Sequence, residues 1–380
     1  MACDAGDALS CGRLGNMLMR GDGVAKDLRR AEVHEARACS LGLAVSCANW
    51  GALISSRAPE QAFKAYARGC DGGDKVSCFD EGYALATGQG VAKDPARAAK
   101  FFLSSCDEGH PPACNLAARA YLMGEGLPKD EAKAAPLLAR ACDGDLSTLA
   151  QADGTPLPPM AEACAAAATL LAQSAKSDAE HRRVATMLER ACDRGYFAAC
   201  NDAGASYMEL ASAADKEHGK KILTRACDAG AESACANLGA LYLKTEPVVA
   251  GPLLERACNA KNGQACANLG YMYTNGAGVL PDLARAAHLF ELACDAGNMP
   301  GCMFAGGVFY EGKGVKEDPE RSRTFLDKAC AGGIAAACVQ LARMYEYALG
   351  VDEDMSRARS YHRRACDAGE TDECSRAAKH

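Results

Sequence analysis

Twenty-two cysteines recur at nearly constant spacing through 380 residues, and this limits the possible folds more than any other feature. They form eleven pairs, ten of them spaced C-x7-C. In chain order these are Cys3 with Cys11, Cys39 with Cys47, Cys70 with Cys78, Cys106 with Cys114 and Cys192 with Cys200. Then come Cys227 with Cys235, Cys258 with Cys266, Cys294 with Cys302, Cys330 with Cys338 and Cys366 with Cys374. The eleventh pair, Cys142 with Cys164, is 22 residues apart. First cysteines follow one another at intervals of 36, 31, 36, 36, 50, 35, 31, 36, 36 and 36 residues. A fixed period of this length is the mark of a repeat array.

The irregular intervals locate the loops, because insertions and deletions accumulate between elements. The 50-residue interval holds 14 extra residues, all between Cys142 and Cys164. They place a loop insertion at 145–159, with Pro156, Pro158 and Pro159. The two 31-residue intervals lack a G-x-G-V segment between a second cysteine and the next first one. That segment is therefore a turn.

Each repeat reads as two helices. An Asp lies twelve residues before the first cysteine in the six full-length repeats: Asp27, Asp94, Asp130, Asp282, Asp318 and Asp354. Pro95 and Pro319 directly follow two of them, which is the pattern of a capped helix start. Apolar pairs such as Phe101-Phe102 and Leu289-Phe290 then give the helix one buried face. Gly stands three residues after the first cysteine in nine of eleven repeats, so the helix is expected to stop at that cysteine. The second cysteine opens the next helix. Four residues past it stands Gly or Ala in every repeat, although Gly weakens a helix interior by about 1 kcal/mol relative to Ala. Close helix–helix approach explains the choice. No strand pattern competes, and the expected fold is all-α: antiparallel helix pairs stacked into a solenoid over 1–380, about ten repeats in one array.

A repeat of the form A-C-x-x-L-G-x-x-Y-x-x-G-x-G-V-x-x-D, followed by a helix ending A-C-D-x-G, resembles the Sel1-like repeat. Its C-x7-C version is similar to the Helicobacter cysteine-rich proteins. The resemblance covers essentially the whole chain and is weakest between Cys164 and Cys227, where the G-x-G-V loop is missing. It implies a right-handed α/α superhelix related to tetratricopeptide arrays, one disulfide per repeat, and a concave ligand-binding face. On that reading all twenty-two cysteines are structural. A first cysteine at a helix end and a second in the opening turns of its antiparallel neighbour can reach bonding distance. Metal binding is the poorer alternative, since zinc cysteines are usually two to four residues apart with a second pair nearby. Haem or redox roles, suggested by Sel1-repeat proteins of the mitochondrial intermembrane space, stay open as an assembly-factor reading.

Disulfides imply an oxidising compartment, so a periplasmic or secreted protein is expected. The sequence opens Met1-Ala2-Cys3-Asp4 without the features of a secretory signal. Cys3 falls at the end of a helix whose body is missing, and the chain reads as beginning inside a longer precursor. The longest apolar run, Ala163 to Ala172, is about half a membrane span.

The same branch of the family is associated with penicillin binding and weak β-lactamase activity, which makes a hydrolase the competing class. The residues do not support it. S-x-x-K, S-D-N, K-T-G and G-x-S-x-G are all absent. The seven histidines, His34, His110, His181, His218, His288, His362 and His380, form no H-x-H or H-E-x-x-H ligand set. The Gly pairs, from Gly21 and Gly23 to Gly312 and Gly314, lack the G-K-[ST] ending of a phosphate loop. No catalytic residue, metal or cofactor is expected. With 42 basic and 49 acidic residues, a net charge of −7 and no basic stripe, nucleic acid is not an expected partner either.

A binding surface is what remains. Two, five and nine residues after the second cysteine lie positions that share one helix face and vary in type between repeats. Candidate peptide contacts on this face are Arg13, Asn16, Asn49, Asp80, Tyr83, Asn237, Asn268, Tyr271, Asn275, Gln340, Arg343 and Tyr347. Asn suits an extended backbone because its amide both donates and accepts. The expected partner is a protein or peptide of unknown identity, and the 145–159 insertion is a further contact candidate.

Overall fold

The computed structural model describes residues 3–144 and 160–378. The 145–159 insertion, including Pro156, Pro158 and Pro159, lies outside the described residues. The chain divides into two compact units, 1–206 and 207–380, with the division inside α11. The first contains α1 (Ala8–Arg20), α2 (Leu28–Ser40), α3 (Ala44–Ile54), α4 (Pro59–Asp71), α5 (Lys75–Thr87), α6 (Pro95–Asp107), α7 (Pro111–Met123), α8 (Glu131–Asp143), α9 (Met160–Ala172), α10 (Asp178–Asp193) and the start of α11 (Ala198–Glu209). The second contains α12 (Ala213–Asp228), α13 (Glu232–Tyr242), α14 (Pro247–Asn259), α15 (Gly263–Asn275), α16 (Leu283–Asp295), α17 (Met299–Glu311), α18 (Pro319–Ala331), α19 (Ala335–Glu346), α20 (Met355–Asp367) and α21 (Thr371–Ala378). No strand occurs among the described residues. Each unit is an α-solenoid in which successive helices pack as antiparallel neighbours, and α15 also touches both α13 and α17.

All eleven cysteine pairs are disulfides. In the first unit Cys3 is bonded to Cys11, Cys39 to Cys47, Cys70 to Cys78, Cys106 to Cys114 and Cys192 to Cys200. Cys142 is bonded to Cys164 across the insertion. In the second unit Cys227 is bonded to Cys235, Cys258 to Cys266, Cys294 to Cys302, Cys330 to Cys338 and Cys366 to Cys374. Each bridge after the first runs from the end of one helix into the opening turns of the next, and no cysteine is free. The first-cysteine helix continues one residue beyond the cysteine, to Ser40, Asp71, Asp107 or Asp295 for example, rather than ending on it. The glycine three residues on has φ between 82° and 107° in all nine repeats that carry it. Lys261, at the same register, also takes the left-handed conformation, with φ 63°. The six aspartates are N-caps, each accepting a backbone N–H of the first helical turn.

The two glycines of the G-x-G-V turn do different work. The first closes the second-cysteine helix, as Gly88 does at φ 78°. The second lies against the preceding repeat. A Cβ on Gly126 would stand 2.1 Å from the Pro95 carbonyl oxygen at the start of α6, and one on Gly90 would stand 2.0 Å from the Pro59 oxygen at the start of α4. Backbone thus meets backbone, which only glycine permits.

The small residue four past the second cysteine makes room for a large one. Gly51 faces Tyr66, Gly82 faces Phe102, Gly239 faces Leu254, Gly270 faces Phe290 and Gly306 faces Leu326, all too close to admit a Cβ without a shift. The large residues stand four before the next first cysteine. Eight of the ten helices carry Leu, Phe or Tyr there, and the two exceptions are Glu35 and His362. Both are buried, at 0% and 3% exposure. The His362 ring pairs with Glu373 and lies 3.3 Å from Glu346.

Candidate functional site

The helices opened by second cysteines, α1, α3, α5 and so on, have two contrasting faces. The inner face carries Cys, the small residue and an apolar side chain seven past the cysteine, such as Leu18, Ile54, Leu85, Phe309 and Tyr345, all buried. The varied positions lie on the other side. Arg13, Tyr83, Asn237, Tyr271, Asn275, Arg343 and Tyr347 are at least partly open to water, and Asn16, Asn49, Asp80, Asn268 and Gln340 are half-buried. Large rings in water are informative here: Tyr271 is 51% and Tyr347 58% exposed.

The first unit carries Arg13, Asn16, Asn49, Asp80 and Tyr83 on α1, α3 and α5. The second carries Asn237, Asn268, Tyr271, Asn275, Gln340, Arg343 and, at the end of α19, Tyr347. Phe304 of α17, which is not among the sequence candidates, occupies the register of Asn237, Asn268 and Gln340 and is 42% exposed. Its place in the repeat was the available signal. Not every candidate points outward. The Asn49 amide donates inward to Glu35 Oε1 at 3.2 Å, and Asn275 donates to the Tyr271 carbonyl at 2.9 Å. Asn268 accepts from Gln264 at 3.1 Å.

The buried titratable groups beneath this face serve the fold. Burial raises the Glu81 carboxyl, against the pull of Arg97 3.5 Å away. Burial lowers His110, whose ring packs 4.6 Å from Phe79. In the second unit the outer helices repeat an arginine on an aromatic ring: Arg285 over Tyr273 at 4.5 Å, Arg321 over Phe309 at 4.0 Å and Arg357 over Tyr345 at 5.4 Å. Arg285 and Arg321 also reach Glu255 and Glu291 of the preceding repeat. Arg285 and Arg321 therefore join one repeat to the next. Among the described residues no group of three His, Cys, Asp or Glu side chains is placed to hold a metal. No described helix is long and apolar enough to cross a membrane.

The disulfides, the capped helices and the two-glycine turn together define one repeat type. The Sel1 repeat family model matches residues 8–43, 76–110, 111–146, 263–298, 300–334 and 335–370. The chain belongs to the Sel1 repeat family. The two long unmatched stretches, 44–75 and 147–262, contain the shortened turns and most of the insertion, yet their described helices and disulfides follow the same plan. Among solved structures, the chain is similar to c5321, a protective antigen of uropathogenic Escherichia coli with an SLR fold. The two are 20% identical with a TM-score of 0.61, over 99% of this chain and 89% of that one. A Sel1 repeat protein of Oxalobacter formigenes is 20% identical over 98% of this chain and 87% of its own, with a TM-score of 0.47. Helicobacter pylori cysteine rich protein B is 30% identical over 31% of this chain and 94% of its own, with a TM-score of 0.27. Comparison with curated proteins finds no match.

Proposed function

We propose that this Sel1 repeat protein is an exported scaffold that binds an extended protein or peptide segment along the varied face of its second-cysteine helices, the concave side of the array. The observation that carries the reading is the contrast within those helices. Their inner positions are nearly constant and buried, whereas the positions two, five and nine past the cysteine change type and stay in contact with water. Fold alone constrains the first set. Tyr271, Phe304 and Tyr347 supply exposed rings of the kind that dominate binding interfaces, and Asn237, Asn268 and Gln340 supply amides at one register. Eleven disulfides suit an oxidising compartment, and the periplasm or cell exterior is the proposed location.

Site-specific photo-crosslinking tests this. A benzophenone side chain is placed at Tyr271, at Tyr347 or at the outer-helix position Thr324, and the oxidised protein is exposed to material from its own compartment. Discrete adducts at the two tyrosine positions and none at Thr324 support the face. Equal labelling at all three, or none at the tyrosines, removes it.

A further inference from the structure

The first repeat contains a carboxyl group at a register where eight of the other nine helices have Leu, Phe or Tyr and the ninth has His362. Glu35 is fully buried on α2, facing Gly15 of α1, where a Cβ would stand 2.7 Å from Glu35 Oε1. One oxygen, Oε1, accepts from Asn49 of α3 at 3.2 Å. The other, Oε2, and the neighbouring Ser46 hydroxyl are buried without a well-formed hydrogen bond. No cation among the described residues compensates it. The charged residues of α1, Arg13 and Arg20, are both exposed, and α3 contains no charged residue at all. On α2 itself Glu32 pairs with Arg57, Arg37 lies by Asp4, and His34 contacts Cys3 Sγ at 3.6 Å. An unpaired buried charge is costly, so such a group is held neutral or the structure around it yields.

The packing around it is divided. Two small clusters stand at this end, Cys3, Cys11 and Ala38 in one, Leu18, Met19 and Ala31 in the other. Glu35 lies between Ala31 and Ala38 in sequence and on the same helix face. Farther along the first unit one cluster runs unbroken from Phe79 to Ala199.

We infer that the first helix pair is an acid-closed latch, in which protonated Glu35 packs as a core residue and its ionisation loosens α1 and α2 from α3. Burial raises the carboxyl above its ordinary value of 4.5, with Ser46 and Asn49 pulling more weakly the other way. A raised acid binds its proton more tightly in the folded repeat than in the opened one. Closure is therefore strongest below pH 4.5, weakens as pH climbs to the raised value, and levels off above it. Asp7, the N-cap of α1, is held low by Ser10, so its contribution has the opposite sign and lies below this window. The Cys39–Cys47 disulfide keeps α2 tethered to α3 throughout. Opening would carry Arg13 and Asn16 away from Asn49, a consequence that rests on the contact face proposed above. The latch itself does not depend on that face.

Hydrogen exchange of the intact, oxidised protein, corrected for the intrinsic pH dependence of exchange, measures the opening without any partner. In the wild type, protection of α1 and α2 relative to α6 and α7 should fall by up to about tenfold per pH unit above 4.5 and then flatten. Glu35→Gln should remove the slope while leaving His34 and Asp7 in place. Glu35→Leu, which supplies the residue type of most other repeats, should give pH-independent protection if the glutamine variant folds poorly. Wild-type protection that does not change between pH 4.5 and 7.5, or a slope that persists in either variant, would overturn the latch.

Discussion

The first repeat and the stretch from α5 to α9 share disulfides, caps and helix lengths, yet they are held together differently. Around α6 and α8 the space over the small residue is filled by Phe102 and Leu138, at 4% and 1% exposure, within one continuous apolar cluster. In the first repeat the same space holds Glu35, which lies between two separate small clusters. Stability in a repeat array is a sum of local terms and nearest-neighbour interfaces. One residue at one register can therefore set how firmly a single repeat is closed without altering the plan of the rest.

The largest test of that contrast is a truncation in the well-packed stretch. Leu138→Ala should cost about 2–5 kcal/mol and destabilise α7 to α9 together, read by hydrogen exchange across those helices. An effect confined to α8 would mean that the cluster is not cooperative. Next come the glycines. Gly109 and Gly126 both have positive φ, at 87° and 77°, and alanine at either should cost about 1–2 kcal/mol of backbone strain. Only Gly126 also meets the Pro95 backbone, so Gly126→Ala should melt well below Gly109→Ala. Equal melting temperatures would show that the loop yields freely. The smallest effect concerns caps. Asp94→Ala should cost about 1 kcal/mol, because the side chain accepts the Arg97 N–H at 3.0 Å. By contrast, α4 has Ala58 at its N-cap position with no side-chain hydrogen bond, and Ala58→Asp should recover a similar amount there. Thermal melts of the two variants should shift in opposite directions.

Much of the fold is legible in the residues because each structural demand leaves its own mark. Asp and Pro mark helix starts, Gly marks left-handed ends, and the cysteine period sets the register. What escapes is where a position is filled by an unexpected residue. Lys261 and Ala348 adopt positive φ without being glycine, since the flanking helices and turn fix the backbone there. Glu35 reads as a surface residue by hydropathy, and only its alignment with Tyr66, Phe102 and Leu138 marks it as buried. The exposed face is legible as a pattern, but the inward donation by Asn49 depends on Glu35 and could not be read without it. The extra helical residue after a first cysteine, such as Ser40 after Cys39, comes from the left-handed turn lying two positions beyond it.

The account rests most heavily on local covalent pairing within every repeat. Alkylation of the unreduced protein, followed by intact mass and a disulfide map, tests it directly. The prediction is eleven bridges and no alkylated cysteine, with Cys142 joined to Cys164 and every other cysteine joined across its own C-x7-C span. Several free thiols, or bridges running between repeats, would contradict it.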